Sequence, residues 1–347
     1  MAKRYILQQE VDELNRKYPA RNTTVINFQP PTPTLSATIH FVRQTHRRQY
    51  HSNSLSKLRA AHYDRLKTGS VCFFSAGTAL ATLPDGEPLY NVASLDNDIY
   101  VLRWKETEQI EVFDAEDYRL LRRLTVPDLE GFADMTSCSH SRYLFVSDYI
   151  NDCVHRVEVD ETVMQWPVSD GPCGLSVSAT THNVLVTCHD VCTIKEFTSR
   201  GDPVRTVTLT DDVTNPWHTI QLTSGQFLVC HGGQEDPVHR VCRLDVDGSV
   251  IQTFGGPPGS ADPLQLNVPW HMAIDEQEFI FVADHDNRRV ILLSPRLEFL
   301  RQVVSRDRLK WDPHRLCVDV LKRRLYVAEN EWKDGEFAAG RVVVYNI

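Results

Sequence analysis

Three histidines stand at matching places in the chain, each just after a proline: His218 in Pro216-Trp217-His218, His271 in Pro269-Trp270-His271, and His314 in Pro313-His314-Arg315. Imidazoles brought together from separate segments bind zinc, and zinc-bound water is the reagent of a metal-dependent lyase or hydrolase. His314 sits one residue after its proline and the other two sit two after theirs, so strand alternation points His314 elsewhere. Trp217 and Trp270 beside them, with Trp332, are apolar anchors of the kind that dominate binding faces. Asp148, Asp284, Asp286 and Asn287 carry oxygen donors suited to calcium or to a basic partner. The competing role for each His and Trp is to cap packed strands through hydrogen bonds. No G-x-S-x-G, H-E-x-x-H, P-loop or G-x-G-x-x-G occurs, so the catalytic set is empty and no cofactor is expected. Zinc on His218, His271 and His314, or calcium on the carboxylates, is the alternative.

The elements that carry these residues repeat. Asn267 to Pro295 reads as three short strands, and its second, FIFVA, is apolar on both faces, as in a strand covered on both sides. Comparable starts fall at Pro88, near Gly131, and at Pro172, Pro216, Pro269 and Pro313, about 40 to 50 residues apart. Six units result, and the sixth lacks a fourth strand because the chain ends at Ile347. Val71 to Leu83 is an unassigned strand in the right place to supply it. An all-β, six-bladed β-propeller closed by its two ends is therefore expected over residues 69–347. Strand direction then gathers the proline starts and the turns between second and third strands on one face, around the central channel.

Residues 1–68 differ in kind. They hold a candidate helix at Gln8 to Lys17, a Pro/Thr linker, and a basic stretch with a weak helix pattern from Leu55 to Leu66. The balance of Lys and Arg over Asp and Glu is +8 for residues 1–70 and -17 for 71–347. An acidic propeller does not grip a phosphate backbone, whereas the basic extension would suit RNA. The nine cysteines lie largely in strand-like runs and read as reduced core thiols. With no apolar run of membrane-span length and no signal segment, the sequence reads as cytoplasmic.

Pro269, Ala273, Ile274, Val282, Ala283, Asp284, Asn287, Arg289 and Val290 resemble the NHL repeat, a proline-led strand followed by V-A-D and N-x-R-V. Val146, Ser147, Asp148, Asn151 and Val154 match it in part, and so do Val327, Ala328, Glu329, Arg341 and Val342 around an insertion. The resemblance implies an NHL-like propeller that binds partners on its top face. It departs from the tripartite-motif members in having no cysteine within residues 1–71 for RING or B-box zinc, so ubiquitin ligase activity is not implied. Peptide-amidating lyases, NHL-like relatives, hold a metal on channel histidines, which is what the resemblance implies for the histidine trio. The function read here is a non-catalytic scaffold for a protein or peptide of basic character. The binding face comprises Trp217, His218, Trp270, His271, His314, Arg315, Asp148, Asp284, Asp286, Asn287 and Trp332.

Overall fold

Both faces of a strand such as Ile280–Asp284 are apolar because both are covered. Phe281 and Ala283 pack with Leu316, Leu325 and Val327 of the following repeat, while Ile280 and Val282 pack with Leu228 and Val241 of the preceding one. The computed structural model describes residues 79–103, 109–131, 134–210, 212–260 and 262–347, and every regular element among them is a β-strand. The extension 1–68 with its two candidate helices, Val71 to Thr78, and Trp104 lie outside the described residues.

The strands form six antiparallel four-stranded sheets, the blades of a propeller. Their first strands are Leu89–Leu95, Met135–Cys138, Pro172–Val177, Pro216–Gln221, Pro269–Ile274 and Asp312–Asp319. These six stand innermost, each packed on the next and the last on the first. Buried clusters fill the spaces between neighbouring blades: Ala93, Tyr100 and Val112 meet Met135 and Val146 between blades 1 and 2, and Phe145 and Trp166 meet Leu175 and Val186 between blades 2 and 3. The core is thus a ring of slabs rather than a single centre.

Closure occurs as the missing fourth strand implies. Ala79–Thr82 pairs antiparallel with the C-terminal strand Glu336–Asn346, Ala81 opposite Val344 and Thr82 opposite Val343, as the outer strand of blade 6. Gly86 bridges Gly340, and the Asn330 side chain bonds both ways to the Leu89 backbone at 2.8 and 2.7 Å, joining blade 6 to blade 1.

One expectation shifts. Blade 1 starts at Leu89, not Pro88, because Leu89 faces Arg103 in the register where Pro216 faces His231. The insertion between Glu329 and Arg341, which breaks the repeat pattern of the sixth unit, is strand on both sides of a two-residue turn. Asp334 and Gly335 both take positive φ, 54° and 90°, the conformation that keeps a hairpin running on.

Phe281 is 1% exposed and packed between blades 5 and 6. Phe281→Ala is expected to lower the unfolding free energy by about 3–5 kcal/mol, read as a lower denaturant midpoint at constant m-value.

Candidate functional site

A β-bulge sets what each first strand aims at the channel. Pro216 faces His231 and His218 faces Cys230, leaving Trp217 as the extra residue; Pro269, Trp270 and His271 repeat this, and so do Pro313, His314 and Arg315. Register therefore aligns His218 and His271 with Arg315, and it aligns His314 with the two tryptophans. The same position is Asn91 in blade 1, Asp134 in blade 2, whose carbonyl accepts Ser147 N–H one residue beyond the Met135–Val146 pair, and Gly174 in blade 3. One inward-facing residue per blade results.

These residues lock to one another across the axis, with Asn91, Asp134, His218, His271 and Arg315 each at most 6% exposed. One oxygen of Asp134, Oδ1, accepts Arg315 Nε–H at 3.0 Å and the Asn91 amide, while its Oδ2 accepts Leu175 N–H at 2.7 Å. His218 Nε2 donates to Leu175 O at 2.9 Å, His271 Nδ1 accepts Leu316 N–H at 3.3 Å, and the two imidazoles stack at 3.9 Å. Gly174 is required beside them, since a Cβ there would stand 2.3 Å from Trp217 O. Burial pushes His218 below the usual histidine range; burial, then the neighbouring His218, Arg315 and His314 charges, push His271 well below it. Both are neutral at pH 7.

Asp134, His218 and His271 bring ligand atoms within 4.8 Å of one another, a donor set a divalent cation accepts. Asp134 is already neutralised by the Arg315 guanidinium, so a cation there would compete with a built-in one. His314, the third member of the expected trio, lies elsewhere, edge-on to Trp270 at 4.5 Å with its own Nε2 3.4 Å from Arg315 Nη1. Asp134 and Asn91 carry no sequence marker, because blades 2 and 1 lack the in-register proline that aligns the others.

In five blades the residue ending the second strand, or in blade 6 its equivalent Glu329 within a longer strand, ties down the loop arriving from the blade before. Asp284 accepts Asn267 N–H at 2.7 Å, Asp148 accepts Glu130 N–H at 2.7 Å, and Glu329 accepts Lys310 and Trp311 N–H at 2.8 and 2.9 Å. Blades 1 and 4 make the tie with opposite polarity: Arg103 donates to Glu87 O and Pro84 O, and His231 Nδ1 lies 3.2 Å from Thr214 O. Asn287 Nδ2 and Arg289 Nε also donate to Asp284, at 2.9 and 2.6 Å. Asp148, Asp284 and Asn287 are thus buried and serve the fold.

Above the plugged channel lies a row of rings. His189 meets Trp217 at 4.5 Å, Trp217 meets Trp270 at 5.2 Å, and Phe337 at 6.2 Å from Trp270 leads on to Trp332 at 4.9 Å. Trp217 and Trp270 are half-buried and Trp332 is 57% exposed at the end of the blade 6 hairpin. Asp190, Glu235 and Asp286 are exposed or half-exposed in the surrounding turns, with Asp212 beside them. Two cations of this face are already paired, Arg288 with Asp312 at 2.8 Å and Lys310 with Asp85 at 2.6 Å. The face is therefore aromatic at its centre and negative around it.

No protein-family model and no curated protein matches the sequence. Solved structures share its shape. Hydrazine synthase of Kuenenia stuttgartiensis aligns at TM-score 0.54 and 12% identity over 76% of this chain and 97% of that one. A catalytically inactive virginiamycin B lyase from Staphylococcus aureus with quinupristin aligns at 0.53 and 12%, over 78% and 98%. U3-55K aligns at 0.54 and 13%, over 77% and 98%. At such identities the likeness is one of fold.

Replacing Arg315 with Leu strands the buried Asp134 carboxylate and is expected to cost about 3–5 kcal/mol. Adding Asp134→Asn should recover part of that loss, a coupling that a double-mutant cycle reads.

Acid should also weaken the fold. Burial carries His231 down to about 4, so below pH 6.5 the unfolded chain takes up protons that the native state refuses. Stability is full above that pH and falls as pH drops toward 4. His231→Asn, which keeps a donor for Thr214 O, should flatten the fall by up to about 1.4 kcal/mol per pH unit, measured by denaturant melts from pH 7.5 to 4.

Proposed function

We propose that this chain is a binding scaffold whose top face holds a protein or peptide segment of basic character. The aromatic row from Trp217 through Trp270 to Trp332, bordered by carboxylates, carries the reading. Indole rings offer large apolar faces that lose little side-chain entropy on binding, and they attract Lys and Arg side chains through cation–π contact. Asp190, Asp212, Glu235 and Asp286 add long-range attraction for the same cations and repel phosphate backbones. The NHL-like pattern of blades 2, 5 and 6 belongs to this reading, since in that family the same face meets partners. The plugged channel is its support: the inward ring fixes the first strands, and the bulge just before His218 and His271 presents Trp217 and Trp270. Residence in the cytoplasm is part of the proposal and agrees with the unpaired thiols among the described cysteines.

The test is binding of a Lys/Arg-rich peptide and of its Glu-substituted counterpart, followed by fluorescence anisotropy at low and physiological salt. The basic peptide should bind and weaken as salt rises. Trp332→Ala, and the triple variant Asp190→Lys, Glu235→Lys, Asp286→Lys, should each lose about tenfold or more in affinity while melting normally. Equal binding of the two peptides, or unchanged binding by both variants, would overturn the scaffold reading.

A further inference from the structure

Blade 2 breaks the pattern of its sisters at one buried position. Opposite the carboxylate at the loop-tying position of the second strand, blade 5 places Arg289 against Asp284 and blade 6 places Arg341 against Glu329. The guanidinium nitrogens stand 2.6 and 3.3 Å from the acids they neutralise. In blade 2 the residue in register with Asp148 is Cys153. Two residues on, His155 turns inward to the same point. Its Nε2 is 3.4 Å from Cys153 Sγ and 3.7 Å from Asp148 Oδ2. Its Nδ1 has no hydrogen-bond partner among the described residues, so the ring's polar contacts are those made by Nε2. Sulfur, imidazole nitrogen and carboxylate oxygen lie within 4.8 Å of one another, and all three residues are buried.

We propose that Asp148, Cys153 and His155 form a structural site for one zinc ion, which takes the place of the arginine cation found in blades 5 and 6. Zinc accepts this mixture of sulfur, nitrogen and oxygen donors, with bonds of about 2.3 Å to sulfur and about 2.0 Å to nitrogen or oxygen. At tetrahedral angles such bonds set sulfur and nitrogen about 3.5 Å apart, and nitrogen and oxygen about 3.3 Å apart. The separations present, 3.4 and 3.7 Å, need movements of a few tenths of an ångström. The fourth position falls to water or to Gln165 Oε1, 3.9 Å from Cys153 Sγ on the adjoining strand. Asp148 is braced to serve as a ligand, because Ile150 and Asn151 N–H groups hold Oδ1 while Glu130 N–H and the Asn151 amide hold Oδ2. The four donors occupy the carboxylate's lone pairs, so zinc on Oδ2 would take the place of the Asn151 amide while the backbone N–H bonds go on orienting the ligand. Uptake is balanced by loss of the Cys153 thiol proton to solvent, so zinc binds as the thiolate complex and more tightly as pH rises.

The channel cluster offers the contrast. Asp134 already carries Arg315, whereas the one ion-pair partner that the described residues give Asp148 is His155 itself. Zinc in blade 2 would pin the turn at Asn151 and Asp152 to the loop arriving from blade 1, strengthening the Glu130 tie.

The full-length protein, purified without chelator, is to be analysed for metal and then loaded with cobalt. One equivalent of zinc is expected, and the cobalt form should show thiolate-to-metal charge transfer and tetrahedral d–d bands. Cys153→Ser and His155→Gln should lose both the equivalent and the charge-transfer band, while His271→Gln in the channel and Cys188→Ser in blade 3 keep them. Wild-type melting temperature should rise with zinc and fall with chelator, a reading that stands even if a variant fails to fold. Absence of metal uptake by the wild type would overturn the proposal. So would charge transfer surviving in Cys153→Ser, or metal lost from His271→Gln alone.

Discussion

A blade with two apolar faces is stable only between two neighbours, and so the whole ring depends on the pairing of Ala79–Thr82 with the C-terminal strand. Without it, blade 6 would expose an unpaired sheet edge, and the slab of Leu89, Ile99 and Val101 against Tyr326 and Val344 would lose its brace. Closure couples residues more than 250 positions apart in sequence. The interfaces between successive blades are local, whereas the packing of blade 6 on blade 1, with Asn330 bonded to Leu89, is as distant in sequence as the strand pairing and closes the ring with it.

Around the ring two positions recur with different chemistry. The inward position holds Asn, Asp, Gly, His, His and Arg in turn, and these close into a contact circuit because Asp134 reaches blades 1, 3 and 6 at once. At the second position, the end of the second strand, acceptors and donors substitute for one another. Asp148, Asp284 and Glu329 take amide protons from the incoming loop, while Arg103 gives protons to its carbonyls. A loop has both groups to satisfy, so either polarity serves. What repeats is a mechanical role, and this freedom of polarity is why blades 1 and 4 lose the Asp while keeping the fold.

The site was legible in part. Trp217 and Trp270 stand out beside the prolines that start their strands and Trp332 in a polar insertion, and the structure places all three in one row. His218 and His271 share a position relative to proline, and they stack. Asp134 carries no such signal: no proline precedes it in register, and its importance comes from partners 41, 43 and 181 residues away. Asp148, Asp284 and Asn287 looked like surface oxygen donors because turns are usually exposed, yet the incoming loops cover them.

From the sequence alone came the number of blades, the closing strand and the face on which the proline starts gather, because these follow from a period of strands and from one strand missing at the chain's end. Tertiary structure alone decided which side chains meet. The spacing after proline already turned His314 aside, but a bulge that shifts register by one residue brings Arg315 inward, and side chains from six blades converge on the axis only once the ring has closed. The row of rings above the channel and the Asp148, Cys153 and His155 cluster within blade 2 arise in the same way, from backbone register that composition does not encode.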